Sequence, residues 1–310
     1  SVKLLTLGMK TYRLKPTNLV PNRGASGFVK VQEVIRTGRI DDTYCFTEPK
    51  RHMGVFNGLL TGQCSEIALM TSPKRTAVCC LSSVNVEKFD EWKDDPLFIA
   101  DLIRLLDNVL EYFIQLAPEQ LWRAIRSAQK ERAVGLGAFG WASWFQKNMI
   151  PFESGFLGAN GQCDEITSLL KRKAVAASQQ LALERGEPDD VAGSGMRNSH
   201  LLAFAPNASS PSILGASPAT EPWAGNAFTA QGRAGSFLIK NKYLKKLLKE
   251  KGFDTDEIWS SIILNEGSVQ HLDCLTDEEK RVFVTGPEVS PMWIVEHAAT
   301  RQKYVCQSQS

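Results

Sequence analysis

The chain has no Cys-x-x-Cys pair, and its four histidines (His52, His200, His271 and His297) are scattered. That spacing excludes the usual structural zinc sites, and no metal ligand set is expected. No apolar stretch reaches the ~18 residues of a membrane span before a charge interrupts it. Residues 1–14 lack the basic, apolar, small-residue order of a secretion signal. The first residue is Ser1 rather than methionine, which suggests a processed or truncated product. Neither charge dominates: 36 basic residues face 34 acidic ones, for a formal net charge of +2. So even a balance predicts neither a nucleic-acid partner nor an anionic membrane surface. There is no internal repeat and no long low-complexity tract.

What is present is ordinary for a globular protein. Hydrophobic residues make up 43% and charged residues 23% of 310, enough for one large domain or two of common size. The seven cysteines are Cys45, Cys64, Cys79, Cys80, Cys163, Cys274 and Cys306. An odd count without a secretion signal fits free thiols in a reducing cytosol, so a cytoplasmic location is expected. Cys45, Cys163 and Cys274 read as small buried hydrophobes.

Periodicity predicts a short helix over 28–36 and an extended, glycine-containing stretch over 55–70. A buried strand follows over 77–84, then an amphipathic helix over 96–117 with Leu102, Leu105, Leu106, Val109, Leu110 and Phe113 on its stripe. A long helix over 162–185 stops at Gly186. A short apolar strand covers 201–206. Helices with charged outer faces are expected over 240–251, 256–264, 277–284 and 291–300. The mixture predicts an α/β domain richer in helix than strand.

The chemistry-bearing feature is Thr61-Gly62-Gln63-Cys64-Ser65-Glu66-Ile67. In extended chain, residues two apart share a face, so Cys64 and Glu66 project together and Ser65 turns away. A thiol beside a carboxylate suits work on a hydroxylated substrate, one group handling a hydrogen atom and the other a proton. Pro206-Asn207-Ala208-Ser209-Ser210 combines small residues with hydroxyl and amide donors. That composition suits phosphate oxygens, or an ordinary capped turn, with a helix starting near Ser210. Gly135-Leu-Gly137-Ala-Phe-Gly140 matches Gly-x-Gly-x-x-Gly, but the charged, helical residues before it exclude a dinucleotide fold, which needs a preceding strand. The glycines are expected to allow close packing where a helix begins.

Further runs lie in order along the chain: Ala77-Val78-Cys79-Cys80-Leu81-Ser82-Ser83-Val84-Asn85, Arg197-Asn198-Ser199, Glu221-Pro222, Ser268-Val269-Gln270-His271 and Tyr304-Val305-Cys306-Gln307-Ser308-Gln309-Ser310. Together with the Cys64 run, the glycine run and the Pro206 run, they resemble the large catalytic subunit of class I ribonucleotide reductase, of the phage and bacterial branch. The resemblance implies part of a ten-stranded α/β barrel with a central finger loop. It assigns residues 31–310 to a partial catalytic barrel and leaves 1–30 as a poorly matched amino-terminal segment.

By this resemblance Cys64 carries a thiyl radical that removes the hydrogen from C3′ of a ribonucleotide. Glu66 is the base on the 3′-hydroxyl, and Ser65 lies against the substrate. Cys79 is one member of a redox pair, while Cys80 is read as packing. Pro206, Asn207, Ala208, Ser209 and Ser210 hold the substrate's phosphates. No cofactor binds the chain directly. A metal-containing small subunit supplies the radical, and thioredoxin or glutaredoxin supplies reducing equivalents. A ribonucleoside diphosphate is the implied substrate.

The chain also departs from the family. Gly62 stands where the family has an asparagine that holds the substrate's 3′-hydroxyl. The effector region, the first barrel strands and the second redox cysteine would precede Ser1. The paired radical-transfer tyrosines and the cysteine-bearing tail would follow Ser310. A cut barrel leaves strand edges bare, so the chain is expected to need a separate chain or chains carrying the missing parts. The alternative is a non-catalytic relic or an assembly module of the same enzyme.

Overall fold

The computed structural model describes residues 12–13, 35–36, 53–56, 59–62, 66–207, 209–232 and 235–309. The first elements are strands β1 (Tyr12–Arg13) and β2 (Ile35–Arg36), paired antiparallel. Ile35 and Arg36 are therefore strand, not the helix that apolar spacing predicts for 28–36; pairing across the chain overrides a weak local preference. The rest of that helix lies outside the described residues. Strands β3 (Met53–Phe56) and β4 (Leu59–Gly62) form an antiparallel hairpin with Met53 opposite Gly62.

Strand β5 (Cys80–Asn85) leads through a helical turn, α1 (Phe89–Trp92), to α2 (Phe98–Leu116). Pro96 stands just before α2 rather than inside its first turn. Helix α2 buries Ile99, Ile103, Leu106 and Leu110 along one stripe, at ~1.5–3 kcal/mol per side chain. Helix α3 (Trp122–Glu131) follows, then strand β6 (Val134–Phe139) and α4 (Trp141–Lys147). Gly140 joins the last two with φ of +83°, and a Cβ there would sit 2.5 Å from Asn85 Oδ1. Only glycine meets both conditions.

The longest helix, α5 (Ala159–Arg185), ends at Gly186 as the sequence predicts. Helix α6 (Ser209–Leu214) begins inside the Pro206–Ser210 run. Strands β7 (Ala227–Gly232) and β8 (Gly235–Lys240) then form a hairpin that periodicity does not reveal. Helices α7 (Lys242–Glu250), α8 (Asp256–Leu264), α9 (Asp277–Val282) and α10 (Pro291–Gln302) complete the chain. Their starts are written locally: Thr255 caps α8, Thr276 and Glu279 form a capping box on α9, and Pro291 opens α10.

The functional framework is a run of parallel chain. Strands β5 and β6 pair in parallel, Cys80 with Val134 through Asn85 with Phe139. Residues 201–204 lie beside β6, with a parallel bridge between Leu136 and Leu202. Residues 307–309 lie beside them in turn, with Phe204 bridged to Gln309. Parallel neighbours need long crossovers, and α2, α5 and α10 run in those connections. One face of this sheet packs Val84, Val134, Leu136, Leu202 and Phe204 against the helices. A second core gathers α7, α8 and α9 around Trp259, Ile262 and Phe283.

Candidate active site

Alternation along the strands sends Cys79, Leu81 and Ser83 to the face opposite the helix-packed core. Cys80 points the other way and packs on that core, as expected for a structural thiol. Across from Cys79 and Leu81, β6 offers Gly135. A Cβ there would lie 2.4 Å from Leu81 Cδ2, 2.9 Å from Ala203 Cβ and 3.1 Å from Cys79 Sγ. The glycine run is thus in the strand itself, where it lets neighbouring side chains lie flat over the sheet; only Gly140 marks a helix start.

Cys79 sits at the foot of β5. The carboxamide Nε2 of Gln307 donates to its sulfur at 3.2 Å and to Val134 O at 3.2 Å. The other end of that carboxamide, Oε1, accepts from the Ala68 N–H at 3.3 Å. Ser308 N–H donates to Glu66 O at 3.0 Å, and Glu66 is buried, 3% exposed. The chain that follows Cys64 is thereby docked on the segment at 307–309. Burial pushes the Cys79 thiol up to about 12, and the Gln307 hydrogen bond acts against that rise. Cys80, Cys306 and Glu131 push it further up. Cys79 is a protonated thiol at neutral pH.

Cys64 and Ser65 lie outside the described residues, as does Ala208. Pro206 and Asn207 follow the bridged segment 201–204, which is extended but forms only isolated bridges rather than the strand expected over 201–206, at the far end of the same face. Asn207 Nδ2 donates to Ser83 Oγ at 3.1 Å and to Ala205 O at 2.9 Å, which fixes the loop on β5. Ser209 and Ser210 open α6, with Ser210 exposed. The turn after α6 is locked to α4: Ser143 N–H donates to Ser217 Oγ at 3.0 Å, and Ser217 N–H to Ser143 Oγ at 2.8 Å. Neither Gln307 nor Ser83 stands out in the sequence: both lie inside family-like runs, but their partners are far along the chain.

The remaining runs have structural roles here. Arg197-Asn198 belongs to a buried ionic cluster around Asp107. Asp107 accepts from Arg132 Nε at 2.8 Å, Arg185 Nη1 at 2.7 Å and Asn198 Nδ2 at 3.3 Å. Ser268 donates to Glu288 at 2.5 Å, and Gln270 donates to Lys280 O at 3.2 Å. Among the described residues no helix is long and apolar enough to cross a membrane.

The chain is similar to known proteins. The family described as ribonucleotide reductase, barrel domain, matches residues 13–190 and 187–310. The chain is 48% identical over 98% of its length to the ribonucleoside-diphosphate reductase large subunit of Invertebrate iridescent virus 6, covering 32% of that protein. It is 47% identical over 80% of its length to a putative large subunit from Frog virus 3, covering 44% of it. Among solved structures, the Actinobacillus ureae class Id ribonucleotide reductase alpha subunit is similar with a TM-score of 0.73 and 45% identity. That match covers 79% of this chain and 45% of the other. The chain thus spans less than half the length of these relatives. With the parallel sheet, its glycine-floored face and the family match along nearly all of its residues, the chain belongs to the ribonucleotide reductase barrel-domain family.

Proposed function

We propose that this chain is the catalytic-core part of a ribonucleoside-diphosphate reductase large subunit, working with the remaining parts of that subunit. Cys64, as a thiyl radical, takes the hydrogen from C3′. Glu66 takes the 3′-hydroxyl proton, the 2′-hydroxyl leaves as water, and C3′ recovers its hydrogen. Cys79 and a second thiol are oxidised to a disulfide as the ribonucleotide is reduced. Thioredoxin or glutaredoxin then reduces that disulfide, and a metal-containing small subunit supplies the radical.

One observation carries the reading. Gln307 holds the Cys79 thiol and the chain next to Glu66 at one end of a sheet face. Asn207, in the phosphate loop, is tied to Ser83 on the same face. Cys79 and Ser83 are four residues apart, about 13 Å in extended chain. That length suits a nucleotide with its ribose at the thiols and its phosphates at residues 206–210. A resting thiol at Cys79 also suits a group that gives up hydrogen rather than one that attacks as a thiolate. Among the described residues, the outer edge of β5 has no paired strand, which fits completion by other chain segments.

Gly62 favours the second reading, an assembly module, because it offers the substrate no side chain. Reconstitution separates the two. The chain is mixed with a complementing large-subunit piece, the small subunit and a thioredoxin system, and deoxynucleoside diphosphate is measured. Turnover that depends on this chain, and rises in Gly62→Asn, supports catalysis. Assembly without turnover in both forms leaves the module.

A further inference from the structure

The geometry points to Gln307 as a positioning residue that ties the Cys79 thiol to the segment following Cys64, through a single carboxamide. The role assigned to Cys79 rests on the function proposed above; the hydrogen bonds do not. Gln307 stands on the fourth segment of the parallel run, 228 positions from Cys79. Its main chain is fixed first: its N–H donates to Leu202 O at 3.1 Å, and the next N–H donates to Glu66 O at 3.0 Å. The side chain therefore has little freedom. Both amide hydrogens find acceptors, Cys79 Sγ and Val134 O, each at 3.2 Å. The carboxamide oxygen takes the Ala68 N–H at 3.3 Å.

This arrangement extends strand pairing by one side chain. Glu66 O and Ala68 N alternate along their chain as ladder groups do. Ser308 N answers the first and the Gln307 carboxamide answers the second. The same carboxamide then reaches the sulfur, so the docked segment and the thiol share one support. No hydrocarbon or carboxylate side chain does both: a carboxylate can accept from Ala68 but cannot donate to sulfur, and leucine does neither.

Two consequences follow for Cys79. Its sulfur receives an N–H, which favours the thiolate over the thiol. Burial opposes ionisation most, joined by Cys80 next to it at the start of β5, Cys306 on the segment beside 201–204, and Glu131 at the end of α3. Gln307 is the group acting the other way. The thiol's ionisation, opposed mainly by burial, is thus eased by a residue that also holds the segment after Cys64.

Peptide-resolved alkylation of the full chain by iodoacetamide, followed from pH 7 to pH 10, tests this without any turnover. Gln307→Leu and Gln307→Glu should each slow Cys79 alkylation by at least about 10-fold at a given pH, the loss of a hydrogen bond to an ionised group. Cys163, fully buried, should stay protected and so report that the fold is intact. Equal Cys79 rates in wild type and both variants, with Cys163 protected, would overturn the role. If the variants unfold and expose Cys163, the wild-type side chain is read directly. In uniformly ¹⁵N-labelled protein, one glutamine carboxamide pair should shift on Cys79→Ser, and no shift would overturn the role. Failure of nucleotide reduction in reconstitution would leave either result standing.

Discussion

Replacing Asp107 with asparagine should be among the most damaging conservative changes in this chain. Asp107 lies on α2 with 0% exposure and takes hydrogen bonds from Arg132, Arg185 and Asn198. Burial raises its pKa, but the Arg132 hydrogen bond and charge, with Arg197 and Arg185, outweigh burial and hold the carboxyl below its ordinary range. Asparagine keeps the shape, yet its amide nitrogen would face a guanidinium, donor against donor, and the charge is gone. Removing one partner from a buried ion pair costs about 3–5 kcal/mol. Arg132 retains Glu111 at 2.7 Å, which places the cost near ~3 kcal/mol. At 2–4 °C per kcal/mol for domains of this size, Tm should fall by about 6–12 °C. Thermal unfolding followed by circular dichroism at pH 7 measures it. Glu184→Gln, which breaks the exposed Arg104–Glu184 pair, serves as the control and should leave Tm within experimental scatter. The sign with pH is fixed by the depressed pKa. Asp107 contributes fully above its unfolded value of about 4, and that contribution is lost as pH falls through the lower folded value. The gap between wild type and Asp107→Asn should therefore close in acid. An Asp107→Asn protein with wild-type Tm at pH 7 would refute the reasoning.

His297 is 1% exposed among Phe145, Phe152 and Trp293, and burial lowers its pKa to about 4. The unfolded chain binds that proton from about pH 6.5, so stability should fall by about 3 kcal/mol between pH 6.5 and pH 4. His297→Phe should flatten that slope in urea titrations; an unchanged slope would exclude His297 as its source. Asn207→Ala frees the phosphate loop from Ser83 and should raise KM for the diphosphate about 5–20-fold in the reconstituted enzyme. An unchanged KM would remove the loop from substrate binding. Gly137→Ala places a Cβ 2.8 Å from Ala203 O, and should cost about 1–3 kcal/mol by chemical denaturation.

Local signals were legible where they were written locally. The helix over 256–264 stands as Asp256–Leu264 because Thr255 caps it, and α5 stops at Gly186. Strand β6 was not legible: Val134-Gly-Leu-Gly-Ala-Phe139 has poor strand propensity and forms because its glycines fit beneath Cys79, Leu81 and Ala203. Strands β7 and β8 were hidden because neither Ala-Phe-Thr-Ala-Gln-Gly nor Gly-Ser-Phe-Leu-Ile-Lys alternates apolar and polar residues, so the hairpin carries little period-two signal. At the site, family-like runs singled out Cys79, Glu66 and Asn207. Gln307 escaped because its importance comes only from contacts with Cys79 and Ala68, both over 200 residues away. Ile35 and Arg36 read as helix from spacing alone and are strand because β1 pairs with them.

Cys64→Ser in the reconstituted assembly puts the radical chemistry itself to the test. Light scattering would show the variant assembling as wild type does, since one sulfur replaced by oxygen leaves the chain's docking on 307–309 in place. Deoxynucleotide formation should then drop to background, because a serine hydroxyl does not become the radical that removes the C3′ hydrogen. Retained turnover in an intact Cys64→Ser assembly would contradict the proposed chemistry at its first step.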